Sequence, residues 1–83
     1  MAGKITVYTR TNCPYCELVK KFLNMKNATY DTVNMEEVSG AMEEVQSMTG
    51  KTIAPTTVVE KADGTKEVIV GFNLSKIAPA IAA

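Results

Sequence analysis

The feature that most constrains the fold is the segment Cys13-Pro14-Tyr15-Cys16, which separates a β-type run from a helical one. Residues 5–9 are all β-branched or aromatic, and they predict a short buried strand. Proline suits the first position of a helix, because the N–H that it lacks has no partner there in any helix. The sequence therefore predicts a strand, a turn, and a helix that begins directly after Cys13.

The first helix and the next strand complete a βαβ unit. Apolar side chains recur at helical spacing after Pro14, and this pattern predicts a helix that ends at about Met25 or Lys26. Residues 29–33 predict the second strand. Because a helix connects the two strands, we expect them to be parallel.

A second helix is indicated by the apolar spacing of Met35, Val38, Met42 and Val45. Acidic residues at 36–37 favour a helix N-terminus near that point, because they complement the helix dipole. The pattern places Gly40 inside the helix, at some cost in stability. Gly50 is expected to cap the C-terminal end of this helix.

The last third of the chain predicts a β-hairpin followed by a short helix. Strands are expected at residues 56–60 and 67–70, with a turn at residues 63–64. Helical spacing continues over residues 74–81, where Pro79 should end or kink the helix unless it lies in the first turn. The order βαβαββα predicts an α/β fold with one sheet and helices on its faces.

Composition limits the classes of function. The 83 residues are enough for one small domain, 1–83, and the nine basic and nine acidic side chains balance, which argues against a nucleic-acid-binding protein. The sequence has no histidine, which excludes imidazole catalysis. Neither a signal-peptide pattern nor a run of roughly 20 apolar residues is found, so we expect a cytoplasmic protein without membrane spans.

The spacing of the only two cysteines predicts thiol–disulfide chemistry. In a reducing compartment a close cysteine pair is more often catalytic or metal-binding than structural. A free cysteine is only about 3% thiolate at pH 7, and a helix N-terminus favours the anion. We therefore expect Cys13 to attack a substrate disulfide and the deeper Cys16 to resolve the mixed disulfide. Arg10 is either a positive charge near the thiolate or a solvated surface charge.

Two other interpretations of the cysteine pair are weaker. Zinc sites use the same Cys-x-x-Cys spacing, but they normally need four ligands, and this chain has two cysteines and no histidine. Two inert, buried cysteines are not expected at the first turn of a helix, where a thiolate is favoured. No resident metal is therefore expected.

Three segments together resemble the glutaredoxins, small members of the thioredoxin-fold group: residues 13–16, residues 54–56 (Ala-Pro-Thr) and residues 71–73 (Gly-Phe-Asn). The resemblance covers nearly the whole chain. It implies a thioredoxin fold in which a four-stranded mixed sheet is flanked by helices. It also implies a cis peptide bond between Ala54 and Pro55, facing the dithiol.

The resemblance further implies glutathione as a co-substrate and a set of residues that bind it or the disulfide substrate. Arg10 and Lys51 would face a carboxylate of glutathione, and residues 71–73 would present backbone groups near the start of the last helix. The residues implied in binding are Arg10, Pro14, Tyr15, Lys51, Ala54, Pro55, Gly71, Phe72 and Asn73.

This chain departs from the usual glutaredoxin pattern near the last helix. Many glutaredoxins have paired glycines where it has Val70-Gly71, and aspartate where it has Asn73. The Ala-Pro and Gly-Phe pairs are closer to glutaredoxin-like redoxins, which donate electrons to ribonucleotide reductase and are reduced by thioredoxin reductase. That sister group, however, usually has other residues between its cysteines.

From the sequence we expect a monomeric oxidoreductase that reduces protein disulfides or glutathione mixed disulfides, with glutathione as the favoured electron source. The alternative is an electron donor to ribonucleotide reductase that is itself reduced by thioredoxin reductase. An iron–sulfur carrier, with a cluster held between two chains by the first cysteine and glutathione, is disfavoured because Pro14 is unusual in such proteins.

Overall fold

The computed structural model describes residues 4–61 and 63–82 of the chain. The predicted order of elements is confirmed, and the predicted turn at residues 63–64 joins the last two strands. The elements are β1 (Lys4–Thr9), α1 (Pro14–Met25), β2 (Asp31–Asn34), α2 (Ala41–Thr49), β3 (Thr56–Glu60), β4 (Lys66–Val70) and α3 (Leu74–Ala82).

Within the described residues, the strands form one four-stranded mixed sheet in the order β2-β1-β3-β4. As predicted, β1 and β2 are parallel, with Thr9 opposite Asn34 at their carboxyl ends. β3 runs antiparallel to both β1 and β4. The segments that follow β1 and β2 therefore leave the sheet at the same end, where the carboxyl ends of the two strands lie. The candidate site is at this end of the sheet.

Alternation along β1 directs side chains to both faces of the sheet. On one face, helices α1 and α3 cover the larger core, and on the other α2 covers a smaller core around Tyr8, Met35 and Val45. The larger core consists of Ile5, Val7, Val19, Leu23, Val59, Ile69, Ile77 and Ala80. Of the helices in the described ranges, none is both long and apolar enough to cross a bilayer.

The second strand begins later than predicted, at Asp31 rather than at residue 29. The turn after α1 continues through Asn27, which has a φ of +56°, and the N–H of Ala28 bonds back to the carbonyl of Leu23. Tyr30 then turns its hydroxyl to the Asn24 side chain, over 3.1 Å. These contacts with α1 hold the segment before strand pairing starts.

The prediction for the start of the second helix was wrong. Gly40 lies outside the helix as its N-cap, with a φ of +84°, a left-handed conformation that glycine adopts readily. Residues 36–37 lie in a turn before the helix, and Glu43 and Glu44 occupy its first turn instead. The apolar spacing predicted too early a start because Met35, although buried, lies in the turn before the helix and not in the helix itself. Gly50 caps the other end in the left-handed conformation, as predicted.

The sequence predicted that Pro79 would end or kink the last helix, and the helix does not end there but continues to Ala82. A proline at this position removes the hydrogen bond to the carbonyl of Ser75, one turn earlier. Ser75 is exposed, so water can take that place. Burial of Ile77 and Ala80 against the sheet opposes the remaining cost.

The partly buried hydroxyl of Tyr8 should make the free energy of unfolding fall at high pH. It donates to Oε1 of Glu44 over 3.0 Å. Burial first, and then this hydrogen bond, raises the pKa of Tyr8 from 10.0 to about 12. Between these values the unfolded chain loses the proton and the folded chain keeps it, so the free energy of unfolding should decrease with rising pH. Solvent screens the partly exposed Tyr8–Glu44 contact, so we expect a decrease of about 1 kcal/mol.

Urea unfolding of the disulfide form at several pH values between 8 and 12 tests this prediction. The Tyr8→Phe variant should lack the decrease, whereas Tyr15→Phe, which removes an exposed hydroxyl, should retain it. The same slope in the wild type and in Tyr8→Phe would contradict the assignment to Tyr8.

Candidate active site

The segment Cys13-Pro14-Tyr15-Cys16 opens α1, and a disulfide joins its two cysteines, whose Cα atoms are 5.3 Å apart. Cys13 is the N-cap, in an extended conformation with a φ of −108°, and Pro14 is the first helical residue, as predicted. The backbone N–H of Cys16 donates to Sγ of Cys13 over 3.2 Å. The sulfur of Cys13 thus occupies the place of an ordinary N-cap oxygen and accepts one of the helix's unpaired N–H groups.

The two cysteines differ in their access to solvent. Cys13 is half-buried, whereas Cys16 is only 1% exposed. A disulfide or thiol in solution therefore reaches the sulfur of Cys13 more easily than that of Cys16. The N–H groups of the helix end also favour an anion at Cys13 once the disulfide is reduced.

An aromatic pair connects the start of α1 to the loop after β4. The rings of Tyr15 and Phe72 have centroids 5.5 Å apart and planes inclined by 32°. Tyr15 is 58% exposed and Phe72 is 41% exposed. Two large apolar rings thus remain open to solvent next to the disulfide, and exposed aromatic groups of this kind suit contact with another molecule.

The peptide bond between Ala54 and Pro55 is cis, as the family resemblance implied. The carbonyl of Pro55 accepts the N–H of Gly71 over 2.8 Å. Thr56, the first residue of β3, donates its hydroxyl to the carbonyl of Ile53. These bonds fix the segment before β3 against the loop that carries Phe72, and so against the aromatic pair.

Several polar groups of the loop between β4 and α3 are hydrogen-bonded within the protein. The N–H of Gly71 is bonded to Pro55, and the N–H of Asn73 donates to the carbonyl of Gly71 over 3.1 Å. The side-chain oxygen of Asn73 accepts the hydroxyl of Ser75 over 2.8 Å. The resemblance implied that residues 71–73 present backbone groups to glutathione, and two of their three N–H groups already have partners inside the protein.

Arg10 and Thr11, which follow β1, both contact Glu36, which follows β2. Nη2 of Arg10 lies 3.6 Å from Oε2 of Glu36. Oε1 of the same carboxylate accepts the backbone N–H of Thr11 over 2.7 Å. The N–H of Glu36 in turn donates to the side chain of Asn34 over 2.9 Å. Arg10 is therefore exposed and paired with a carboxylate, and its role as a positive charge near the thiolate stays a prediction.

The contacts of Glu36 favour the ionised form of its carboxyl group. The backbone N–H of Thr11 is the largest influence that lowers its pKa, and the guanidinium of Arg10 acts in the same direction. Sequence reasoning missed this residue because the contact joins segments 25 positions apart. Only the parallel pairing of β1 and β2 brings the two strand ends together.

Lys51 lies in the segment between α2 and the cis peptide bond. Its backbone N–H and carbonyl both bond to the hydroxyl of Thr49, and its side chain is exposed. No hydrogen bond or ion pair joins it to the dithiol across the residues that the structure describes. Its role toward a carboxylate stays a prediction.

Among the described residues, no set of three or more His, Cys, Asp and Glu side chains is placed to hold a metal ion. The reactive group of the candidate site is the cysteine pair. The aromatic pair, the cis peptide segment and the Arg10–Glu36 pair belong to the segments that adjoin it in the chain or in the fold.

Comparison with known proteins finds that this chain is similar to glutaredoxins and glutaredoxin-like proteins. Residues 5–62 match the family model named Glutaredoxin. The glutaredoxin-like protein NrdH of Lactococcus lactis is 35% identical over 89% of this chain and 94% of its own length. Glutaredoxin 3 of Escherichia coli is 25% identical over 70% of each chain.

The fold has close structural counterparts. The crystal structure of the thioredoxin-like protein BC3987 superposes with a TM-score of 0.78 and 32% identity, over 93% of this chain and 99% of the other. The thioredoxin-like fold that the sequence predicted is thereby confirmed, including the mixed four-stranded sheet described above.

Proposed function

Because the chain belongs to the glutaredoxin family, we propose that it is a thiol–disulfide oxidoreductase in which Cys13 attacks the substrate and Cys16 resolves the intermediate. The observation that carries this proposal is the disulfide at the first turn of α1, with one accessible sulfur and one buried sulfur. Bond exchange between the two cysteines needs little backbone movement, since their Cα atoms are 5.3 Å apart.

The reaction transfers two electrons in two exchanges. The thiolate of reduced Cys13 attacks one sulfur of a substrate disulfide, and the other substrate sulfur leaves as a thiolate that takes up a proton. Cys16 then loses its proton and attacks the sulfur of Cys13. The second substrate thiolate leaves, and the Cys13–Cys16 disulfide remains. The N–H of Cys16 and the helix dipole stabilise negative charge on Cys13 before the first exchange.

Substrate contact is proposed for the surface around the disulfide. Tyr15 and Phe72 present exposed rings on one side, and the Ala54-Pro55 segment presents backbone groups to an extended peptide. Pro14 adds a further exposed apolar surface beside Cys13. A protein segment that carries a disulfide fits this surface.

For the electron source, we propose a flavoprotein of the thioredoxin reductase class, with protein disulfides, including that of ribonucleotide reductase, as substrates. The sequence alone favours glutathione, but the loop after β4 favours the alternative. Asn73 is neutral and its side-chain oxygen is bonded, so it offers no carboxylate to the amine of glutathione. Similarity to the Lactococcus NrdH protein over 89% of the chain supports the same choice.

Glutathione remains the second candidate electron source. It is favoured by the Cys-Pro-Tyr-Cys dithiol, which resembles the glutaredoxin motif, and by the cation of Arg10 three residues before Cys13. Lys51 would provide a second cation. The similarity to glutaredoxin 3 of Escherichia coli supports this candidate, at lower identity.

NADPH consumption with a protein disulfide substrate distinguishes the two candidates. One coupling contains thioredoxin reductase alone, and the other contains glutathione with glutathione reductase; the Cys13→Ser variant gives the background of each. We expect turnover above background with thioredoxin reductase. Turnover only in the glutathione coupling would replace the proposed electron source with the second candidate.

A further inference from the structure

We infer that Glu36 is a specificity-determining residue: by neutralising Arg10, it disfavours reaction of the Cys13–Cys16 pair with anionic thiols such as glutathione. This inference deepens the proposed function and rests on it. Arg10 is three residues before Cys13, at the end of β1, and its charge is the nearest cation to the dithiol along the chain.

Hydrogen bonds to the backbone hold Glu36 in place beside Arg10. One oxygen of Glu36 lies 3.6 Å from Nη2 of Arg10, and the other accepts the N–H of Thr11 over 2.7 Å. The backbone of Glu36 is held as well, because its N–H donates to Asn34. The carboxylate is thus anchored from two sides next to the segment that leads into Cys13.

Both charged groups remain open to solvent, with side chains that are 43% exposed for Arg10 and 37% exposed for Glu36. An incoming anion therefore meets both charges together. Arg10 alone would attract it, whereas the pair has no net charge. Glu36 is negatively charged at neutral pH, as an exposed glutamate is, and its contacts with Thr11 and Arg10 lower its pKa further.

Reduction of the protein disulfide by small thiols measures this effect. The thiolate attacks Cys13, the Cys13–Cys16 bond breaks, and Cys16 leaves as a thiolate that is then protonated. A second thiol molecule attacks the mixed disulfide, which gives the oxidised small thiol and reduced Cys13. Glutathione has a net negative charge at neutral pH, and 2-mercaptoethanol is neutral, so the ratio of their rates isolates the charge of the partner.

The test variant is Glu36→Gln, which removes the charge and keeps an amide oxygen for the N–H of Thr11. Glu37→Gln is the matched control, because Glu37 is an exposed neighbour with the same charge. Samples are quenched with acid, alkylated and analysed by mass spectrometry. We expect Glu36→Gln to raise the ratio of the glutathione rate to the 2-mercaptoethanol rate about threefold at low salt. An effect of this size is typical of the interaction between two exposed charges. The gain should shrink in high salt.

The double variant Arg10→Gln/Glu36→Gln shows whether the effect acts through Arg10. Its rate ratio should return to the wild-type value, because neither charge is then present. The inference is overturned if the ratio in Glu36→Gln equals that in Glu37→Gln, or if the gain persists without Arg10. Either result leaves disulfide reduction itself intact. Failure of the wild-type disulfide to exchange with either thiol would instead overturn the proposed function, and this inference with it.

Discussion

Replacement of Cys13 by serine should lower the rate of disulfide reduction by on the order of a thousandfold or more, to the background of the assay. A serine hydroxyl is essentially un-ionised at neutral pH, and the buried Cys16 cannot take over the attack on an external disulfide. The effect should be equally large with protein disulfides and with glutathione mixed disulfides. The coupled NADPH assay measures both.

The fold should survive this replacement. Cys13 is the N-cap of α1, and serine is among the best N-cap residues, because its oxygen accepts the backbone N–H that Sγ accepts here. A thermal unfolding curve close to that of the reduced wild type would show that the loss is chemical. A folded Cys13→Ser protein with substantial activity would contradict the assignment of Cys13 as the nucleophile.

Replacement of Cys16 by serine should separate the two classes of substrate. Without the resolving thiol, Cys13 still forms a mixed disulfide, but the protein substrate is not released. Turnover of protein disulfides should fall roughly a hundredfold, because the mixed disulfide is then resolved only slowly, by thiols from solution. Glutathione mixed disulfides should still turn over when free glutathione is supplied, since a second glutathione resolves them.

Two measurements check the Cys16→Ser prediction. The coupled assays give the rates for the two substrates, and mass spectrometry detects the covalent adduct between Cys13 and the protein substrate. The adduct should accumulate in Cys16→Ser and be absent in Cys13→Ser. Loss of activity on both substrates, without an adduct, would show that the roles of the two cysteines are assigned wrongly.

The parts of the fold that the sequence predicted well are those with local signals. The start of α1 depends on Pro14 and the cysteine before it, and β3 depends on its own β-branched run; both begin where predicted. Gly50 caps α2 for a local reason as well. The cis peptide bond before Pro55 was expected only from the family resemblance, because nothing in the neighbouring residues requires it.

The features that sequence reasoning missed depend on tertiary contacts. The helical spacing around Gly40 gave no sign that the chain turns there, and Met35 fills the core from outside the helix. Nothing in the sequence relates Glu36 to Arg10, since parallel strand pairing brings them together. The outer surroundings of the dithiol were therefore less predictable than the dithiol itself.

The cysteine that reacts first in the reduced wild-type protein identifies the attacking thiolate. The protein is treated briefly with limiting iodoacetamide at neutral pH, digested and analysed by mass spectrometry. We expect modification of Cys13 with little modification of Cys16, because Cys13 is accessible at the helix N-terminus and Cys16 is buried. Equal modification of both cysteines, or faster modification of Cys16, would show that Cys13 is not the attacking thiolate.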